Sequence, residues 1–244
     1  MTRTFLGPRR YVAALAGALL LAVAGQAVAQ APPTTVPAPR QDEWWKERHQ
    51  KHLEDVKKAR EGAGVDLILL GDSITQGWGE NEAWKKYYGP RKALNLGIGG
   101  DQTQHVLWRI QNGEIEGLNP KALMLMIGTN NAGSASAEDI AEGIEAIVAQ
   151  LRKDLPDTDI LLLGVFPRGE KPDDIRKKLT DVNARISKLD GEKVHYLDIG
   201  STFLNPDGTI SKDIMPDFLH LSDRGYEMWA AAVEPTLKKL LKED

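Results

Sequence analysis

A three-layer α/β/α sandwich around a five-stranded parallel sheet is the fold that this sequence predicts, and three observations predict it. Short apolar runs of strand length alternate with longer stretches of helical periodicity along most of the chain. The short runs are continuously apolar rather than alternating, as in strands covered by helices on both faces. Three of them end in glycine-rich punctuation, "GDS" (71–73), "GIGG" (97–100) and "GTNN" (128–131), and ligands of open parallel sheets sit at those carboxyl ends.

The first 29 residues stand outside the alternation. Arg3, Arg9 and Arg10 make a basic start, Val12 to Val23 is almost wholly apolar, and Ala27-Val28-Ala29 has the small-x-small pattern of a cleavage site. We read residues 1–29 as a secretory signal peptide. The apolar run is shorter than the roughly 20 residues a bilayer span requires, so no integral membrane span is expected in the mature chain. Arg9-Arg10 leaves Sec and twin-arginine export both open. Residues 30–41, "QAPPTTVPAPRQ", carry four prolines and little that could pack, and read as a solvated tether. The ordered domain is expected over 42–244.

Within it, the amphipathic stretch Trp44–Arg60 precedes a first strand at Val65–Leu70, and a second follows at Ala93–Leu96. A helical stretch around Val106–Gln111 leads to the third strand, Ala122–Ile127. Ile140, Ile144, Ile147 and Leu151 then line one helix face before the fourth strand, Ile160–Val165. Ile175, Leu179, Val182, Ile186 and Leu189 form a second stripe, the fifth strand runs over Val194–Ile199, and Arg224–Leu241 closes the domain as a helix. No internal repeat or second linker interrupts this order.

The chain has 244 residues, 41% hydrophobic and 27% charged, which suits a single globular domain after processing. Residues 1–29 hold three of the 31 Lys+Arg and none of the 35 Asp+Glu, so 28 basic side chains then face 35 acidic ones, a formal charge of −7. An acidic surface of this kind is a poor nucleic-acid binder. There is no cysteine, which excludes disulfides, thiolate zinc sites and a cysteine nucleophile.

Ser73 leaves the first strand where a ligand would sit, and a serine hydroxyl becomes a nucleophile only when a base takes its proton. His220 is the candidate base, because Asp217 three residues earlier in "PDFLHLSD" can take the Nδ1 proton and leave Nε2 free. Glu192 and His195 share that spacing, but His195 falls inside the fifth strand, where a structural histidine is the ordinary outcome. His49 and His52, on a charge-rich helix, are expected to be solvated, and His105 to pack near the site. Acyl transfer also needs hydrogen-bond donors aimed at the developing oxyanion. The Ser73 and Gly100 amides and the Asn130 side chain are the candidates. Trp78 and Trp84 suit either a pocket or the core. Trp44 and Trp45 are expected to pack on the sheet, and Asp72, Asp101, Arg168 and Lys171 to hold loops.

Rival motifs fail. "GIGGDQ" has Gln102 where the dinucleotide fingerprint needs glycine, no "GxxxxGK[ST]" phosphate loop occurs, and Thr75 stands where a nucleophile elbow needs glycine.

Together "GDSITQGW", "NLGIGGDQTQHVLWRI", "GTNN" and "DFLHL" resemble the SGNH (GDSL-type) hydrolases, over essentially all of Trp44–Leu241. Ala93 to Glu170 looks especially similar to the catalytic subunits of platelet-activating-factor acetylhydrolase. The resemblance implies the flavodoxin-like form of the fold, Ser73 as nucleophile, Asp217 and His220 as the rest of a triad, and Ser73, Gly100 and Asn130 as oxyanion donors. It implies no metal or organic cofactor, and pairing among such relatives leaves a homodimer open.

The expectation is an exported serine esterase, secreted or periplasmic, that removes a short acyl group, acetyl above all, from an oxygen ester, with O-acetylated carbohydrate the favoured substrate. An acyl hydrolase of the lipase or phospholipid acetylhydrolase type is the alternative, followed by a non-catalytic acyl- or wall-binding module. A two-carboxylate glycosidase would leave the Ser-Asp-His set unexplained.

Overall fold

The computed structural model describes residues 1–2, 33–79 and 81–243, and the architecture below is that of the unit Ala31–Asp244. The expected leader lies outside the described residues, apart from Met1 and Thr2.

Five strands, β1 (Leu67–Gly71), β2 (Ala93–Gly97), β3 (Ala122–Met126), β4 (Asp159–Leu163) and β5 (Val194–Leu197), pair in the order β2-β1-β3-β4-β5, every pair parallel. Six α-helices accompany them: α1 (Glu43–Glu61), α2 (Ser73–Gln76), α3 (Thr103–Arg109), α4 (Ala137–Asp154), α5 (Asp174–Ile186) and α6 (Asp223–Leu241). This is the doubly wound α/β sandwich that the alternation predicts. Its order is that of flavodoxin-like sheets, with the reversal beside β1.

Side chains of a strand alternate between faces, and here both faces are dry. Ile68, Leu70, Leu123, Leu125, Ile160 and Leu162 pack with the stripes of α4 and α5 and with Val56 of α1. Leu67, Leu69, Met124, Leu161 and Leu163 pack with Tyr226, Trp229 and Val233 of α6. Full burial of one such aliphatic side chain contributes about 1.5–3 kcal/mol, so the two clusters explain why five very short strands suffice. Helix starts are fixed by side-chain caps. Ser136 and Asp139 cap each other's backbone at α4, Asp173 accepts from the Arg176 amide at α5, and Ser222 accepts from the Gly225 amide at α6.

Boundaries differ from the expected ones where local chemistry intervenes. β1 starts two residues late and, like β2, ends on glycine. The stretch expected around Val106–Gln111 starts at Thr103 and opens into a wider turn over Ile110–Glu114, in which Gly113 takes φ +96°. The short helix α2 has no periodicity for a pattern to detect.

The largest correction concerns the tether. Residues 33–41 lie along the domain instead of standing in solvent. Pro33–Thr35 forms a 3-10 turn with Thr34 buried. The Thr34 hydroxyl donates to the Asp139 carbonyl (2.7 Å), the Thr34 carbonyl accepts from Thr103 (2.9 Å), and the Ala38 amide donates to the Gln104 carbonyl (3.2 Å). Composition describes what a segment can bury, and four prolines have no bearing on these three polar contacts. No helix among the described residues is long and apolar enough to cross a membrane.

Candidate active site

Gly71 and Gly97 sit opposite each other at the ends of β1 and β2, and neither position has room for a side chain. A Cβ on Gly71 would lie 2.2 Å from Thr75 Oγ1, and one on Gly97 would lie 2.2 Å from the Gln76 amide nitrogen. The two glycines let α2 fold back directly onto the strand ends. Asp72 then caps α2 by accepting from the Ile74 amide (2.9 Å), which leaves Ser73 half-buried at the sheet edge.

The other partners arrive from the loop before α6. Ser73 Oγ lies 2.9 Å from His220 Nε2, and His220 Nδ1 lies 2.7 Å from Asp217 Oδ2. The second Asp217 oxygen accepts from the Leu219 and His220 amides (3.0 and 2.7 Å). Partial burial acts to raise the Asp217 carboxyl, but the His220 ring and these two amides outweigh it and hold it below the usual carboxylate range. Phe218, between Asp217 and Leu219, has φ +60°, a conformation costly for a bulky residue and typical of sites where the surroundings over-determine the backbone. Its carbonyl accepts from the Gly169 amide (2.8 Å), which holds that turn.

The strand ends on either side of β1 supply the other predicted residues. Gly99 passes Ser73 closely, and a Cβ built on it would be 3.6 Å from Ser73 Cβ. Gly100, at φ +75°, is exposed, and no described residue accepts its N–H. Asn130 donates from Nδ2 to the Asp101 carbonyl (2.8 Å). A side-chain amide has two such protons, so one remains for a ligand. Gln102 reaches the Asn130 carbonyl (2.9 Å), and the Asn131 side chain accepts from the Thr103 amide (3.1 Å). The two loops are thereby tied to each other.

Two buried features escape sequence reading. Asp72 is fully buried, its Oδ2 has no hydrogen-bond partner among the described residues, and burial pushes its carboxyl up to about 7. A carboxyl raised from about 3.9 in the unfolded chain keeps its proton in the folded state across that interval, so its contribution to stability declines as pH rises through it. Asp72→Asn should therefore improve its melting temperature relative to the parent between about pH 5 and about pH 8. An offset that stays the same at both pH values, read by thermal unfolding, would contradict the raised Asp72 carboxyl.

The second feature is a charge cluster below the strand ends. Arg109 donates to Asp101 (2.8 Å), to the carbonyls of Leu96 (3.0 Å) and Gly71 (3.1 Å), and to Glu114. Trp45 donates to Asp101 (2.7 Å), and His52 Nδ1 lies 2.7 Å from Glu114. His49 and His52, expected in solvent, are both buried. Burial lowers the His52 ring below the usual histidine range, which makes it a neutral donor to Glu114.

The remaining expectations divide. His195 is structural as expected, though its partner is Asp159 (2.9 Å) and not Glu192. His105 accepts from the Gln102 amide at the start of α3 (3.0 Å), and burial lowers it to about 4. Trp78 is core, packed against Tyr88, Tyr226 and Trp229. Trp45 is buried as expected, whereas Trp44 is 47% exposed. Arg168 meets Thr129, in keeping with a loop role.

The chain is similar to known proteins in sequence and in fold. A family model described as "GDSL-like Lipase/Acylhydrolase family" matches residues 69–228. Platelet-activating factor acetylhydrolase IB subunit alpha1 of Homo sapiens is 38% identical over 214 residues, 87% of this chain and 90% of that protein. Among solved structures, a GDSL-like lipase from Bacteroides thetaiotaomicron superposes with a TM-score of 0.65 at 17% identity, covering 78% of this chain and 97% of the other. A carbohydrate acetylesterase from Sinorhizobium meliloti gives 0.57 at 17% identity, covering 72% and 99%.

Proposed function

The chain belongs to the GDSL-like lipase/acylhydrolase family and is a carboxylic ester hydrolase, and on that premise we propose that it removes acetyl groups from oxygen esters through a Ser73 acyl-enzyme. The observation that carries this reading is the relay of 2.9 and 2.7 Å from Ser73 through His220 to Asp217, beside a Gly100 N–H that no described residue accepts.

Ser73 Oγ attacks the ester carbonyl as His220 Nε2 takes its proton, and Asp217 holds the ring and the imidazolium that forms. Negative charge builds on the former carbonyl oxygen. The Ser73 and Gly100 amides and Asn130 Nδ2 donate to it. Collapse breaks the ester bond, and His220 returns the proton to the departing alcohol. Water then attacks the acetyl-Ser73, again giving its proton to His220, and acetate leaves with Ser73 restored.

For the leaving group we favour an O-acetylated carbohydrate, in keeping with the export signal read at residues 1–29 and a secreted or periplasmic site of action. An acetylated phospholipid is the second reading, favoured by the name of the 38% identical relative. Acetate release from acetylated xylan and from an acetyl-alkyl-glycerophosphocholine, assayed side by side, separates them. The first reading expects the polysaccharide to be the better substrate by kcat/KM. Preference for the phospholipid would install the second, and inertness toward both would bring forward the acyl-binding module.

A further inference from the structure

The turn that carries the candidate oxyanion donor has an external lock. Asp101 N donates to the Ile98 carbonyl (3.2 Å), which closes a four-residue turn over Ile98, Gly99, Gly100 and Asp101. Gly100 is at φ +75° and Gly99 is not at positive φ, the pattern of a type II turn. Types I and II differ by a flip of the central peptide, here the Gly99–Gly100 plane. With glycine at both central positions, no Cβ opposes that flip.

The plane matters because one trans peptide is rigid, with its C=O and N–H pointing in opposite directions. Whatever holds the Gly99 oxygen therefore sets the direction of the Gly100 N–H. Arg40 holds it, donating from Nη1 at 2.9 Å. A Cβ on Gly100 would lie only 2.5 Å from the same nitrogen, so the guanidinium rests directly on the turn. Its other edge is engaged by Asp42 at 2.9 Å, and the Trp44 ring lies 4.9 Å away. On the preceding peptide the Gly99 amide donates to Gln76 Oε1 (2.7 Å), an anchor that leaves the central plane free to turn. Arg40 itself belongs to residues 33–41, anchored by Thr34 and Ala38.

We infer that Arg40 is a positioning residue of the ester hydrolysis: it locks the Gly99–Gly100 peptide in the orientation that presents the Gly100 N–H to the oxyanion. The inference rests on the proposed role of Gly100. It also assigns a task to the proline-rich segment, which delivers the arginine to the turn.

The test is steady-state hydrolysis of p-nitrophenyl acetate by the full chain and by Arg40→Ala, Arg40→Lys and Asp42→Asn, with thermal unfolding of each. Arg40→Ala should lower kcat about 10- to 100-fold with KM unchanged, less than the ~10²–10³ expected for outright loss of a donor as in Asn130→Ala. Arg40→Lys, which can still reach the Gly99 oxygen, should recover part of that loss. Asp42→Asn, which breaks only the outer pairing, should stay within about twofold of the parent. An unchanged kcat in Arg40→Ala, a loss confined to KM, or an equal loss in Asp42→Asn would each overturn the inference. Ser73→Ala and Asn130→Ala in the same assay identify which idea has failed. If both lose activity while Arg40→Ala does not, only the lock is wrong, and if Ser73→Ala stays active, the site itself is wrong.

Discussion

Replacing Arg109 with alanine should destabilise the protein by about 3–5 kcal/mol, the usual cost of breaking a buried ion pair from one side. The guanidinium and both carboxylates, Asp101 and Glu114, have no solvent exposure. Burial raises Asp101 to about 6 despite Arg109, while Arg109 and the neighbouring histidines outweigh burial at Glu114 and hold it below the usual carboxylate range. Arg109 is therefore the largest of the influences that keep the two acids ionised near neutral pH. Without it, two buried acids lose their cationic partner, and the Leu96 and Gly71 carbonyls lose a charged donor, together. At about 2–4 °C per kcal/mol for a chain of this size, the melting temperature should fall by roughly 6–20 °C. The triple change Arg109→Met, Asp101→Asn, Glu114→Gln removes every charge at once and should recover much of the loss, because the penalty lies in the uncompensated ions. Scanning calorimetry checks both. An Arg109→Ala protein that melts with the parent would mean that water or relaxation compensates the acids, and the cluster would not be the clamp on the ends of β1 and β2.

How much of this is legible in the sequence depends on how local each feature is. The apolar runs and helical stripes are local, and they place all five strands within two residues or so. Their parallel pairing follows from the helices between them. Ser73 is legible because a strand that ends in Gly-Asp-Ser breaks the apolar pattern at the sheet edge, and Asp217 with His220 because the carboxylate lies within one turn of the imidazole. The buried cluster is not local. His52 and Glu114 are 62 residues apart, and His52 lies on a helix whose many charges make it look solvated. Nothing in its periodicity signals that one face meets a buried acid. Arg40 was hidden by composition, since its proline-rich surroundings describe a chain with little to bury. One guanidinium on one carbonyl needs no hydrophobic pattern. Phe218 was hidden for a third reason, because a left-handed aromatic contradicts its own propensity and is held only by tertiary contacts.

Ser73→Ala should lower kcat for p-nitrophenyl acetate by ~10³ or more, as removal of a triad nucleophile does, while leaving the residual acceleration that oxyanion donors and binding supply alone. Among the described residues the hydroxyl makes one hydrogen bond, to His220, at a half-buried position, so its removal should leave the fold and the melting temperature intact. Hydrolysis by the His220 base acting on water would give a different result, a modest drop with the pH dependence retained. The measurement that tests the central claim most directly is the initial rate of p-nitrophenyl acetate hydrolysis by the purified protein beside its Ser73→Ala variant. A collapse of ~10³-fold or more with unchanged thermal unfolding is the predicted result. Equal rates would contradict it, and Ser73 would not be the nucleophile.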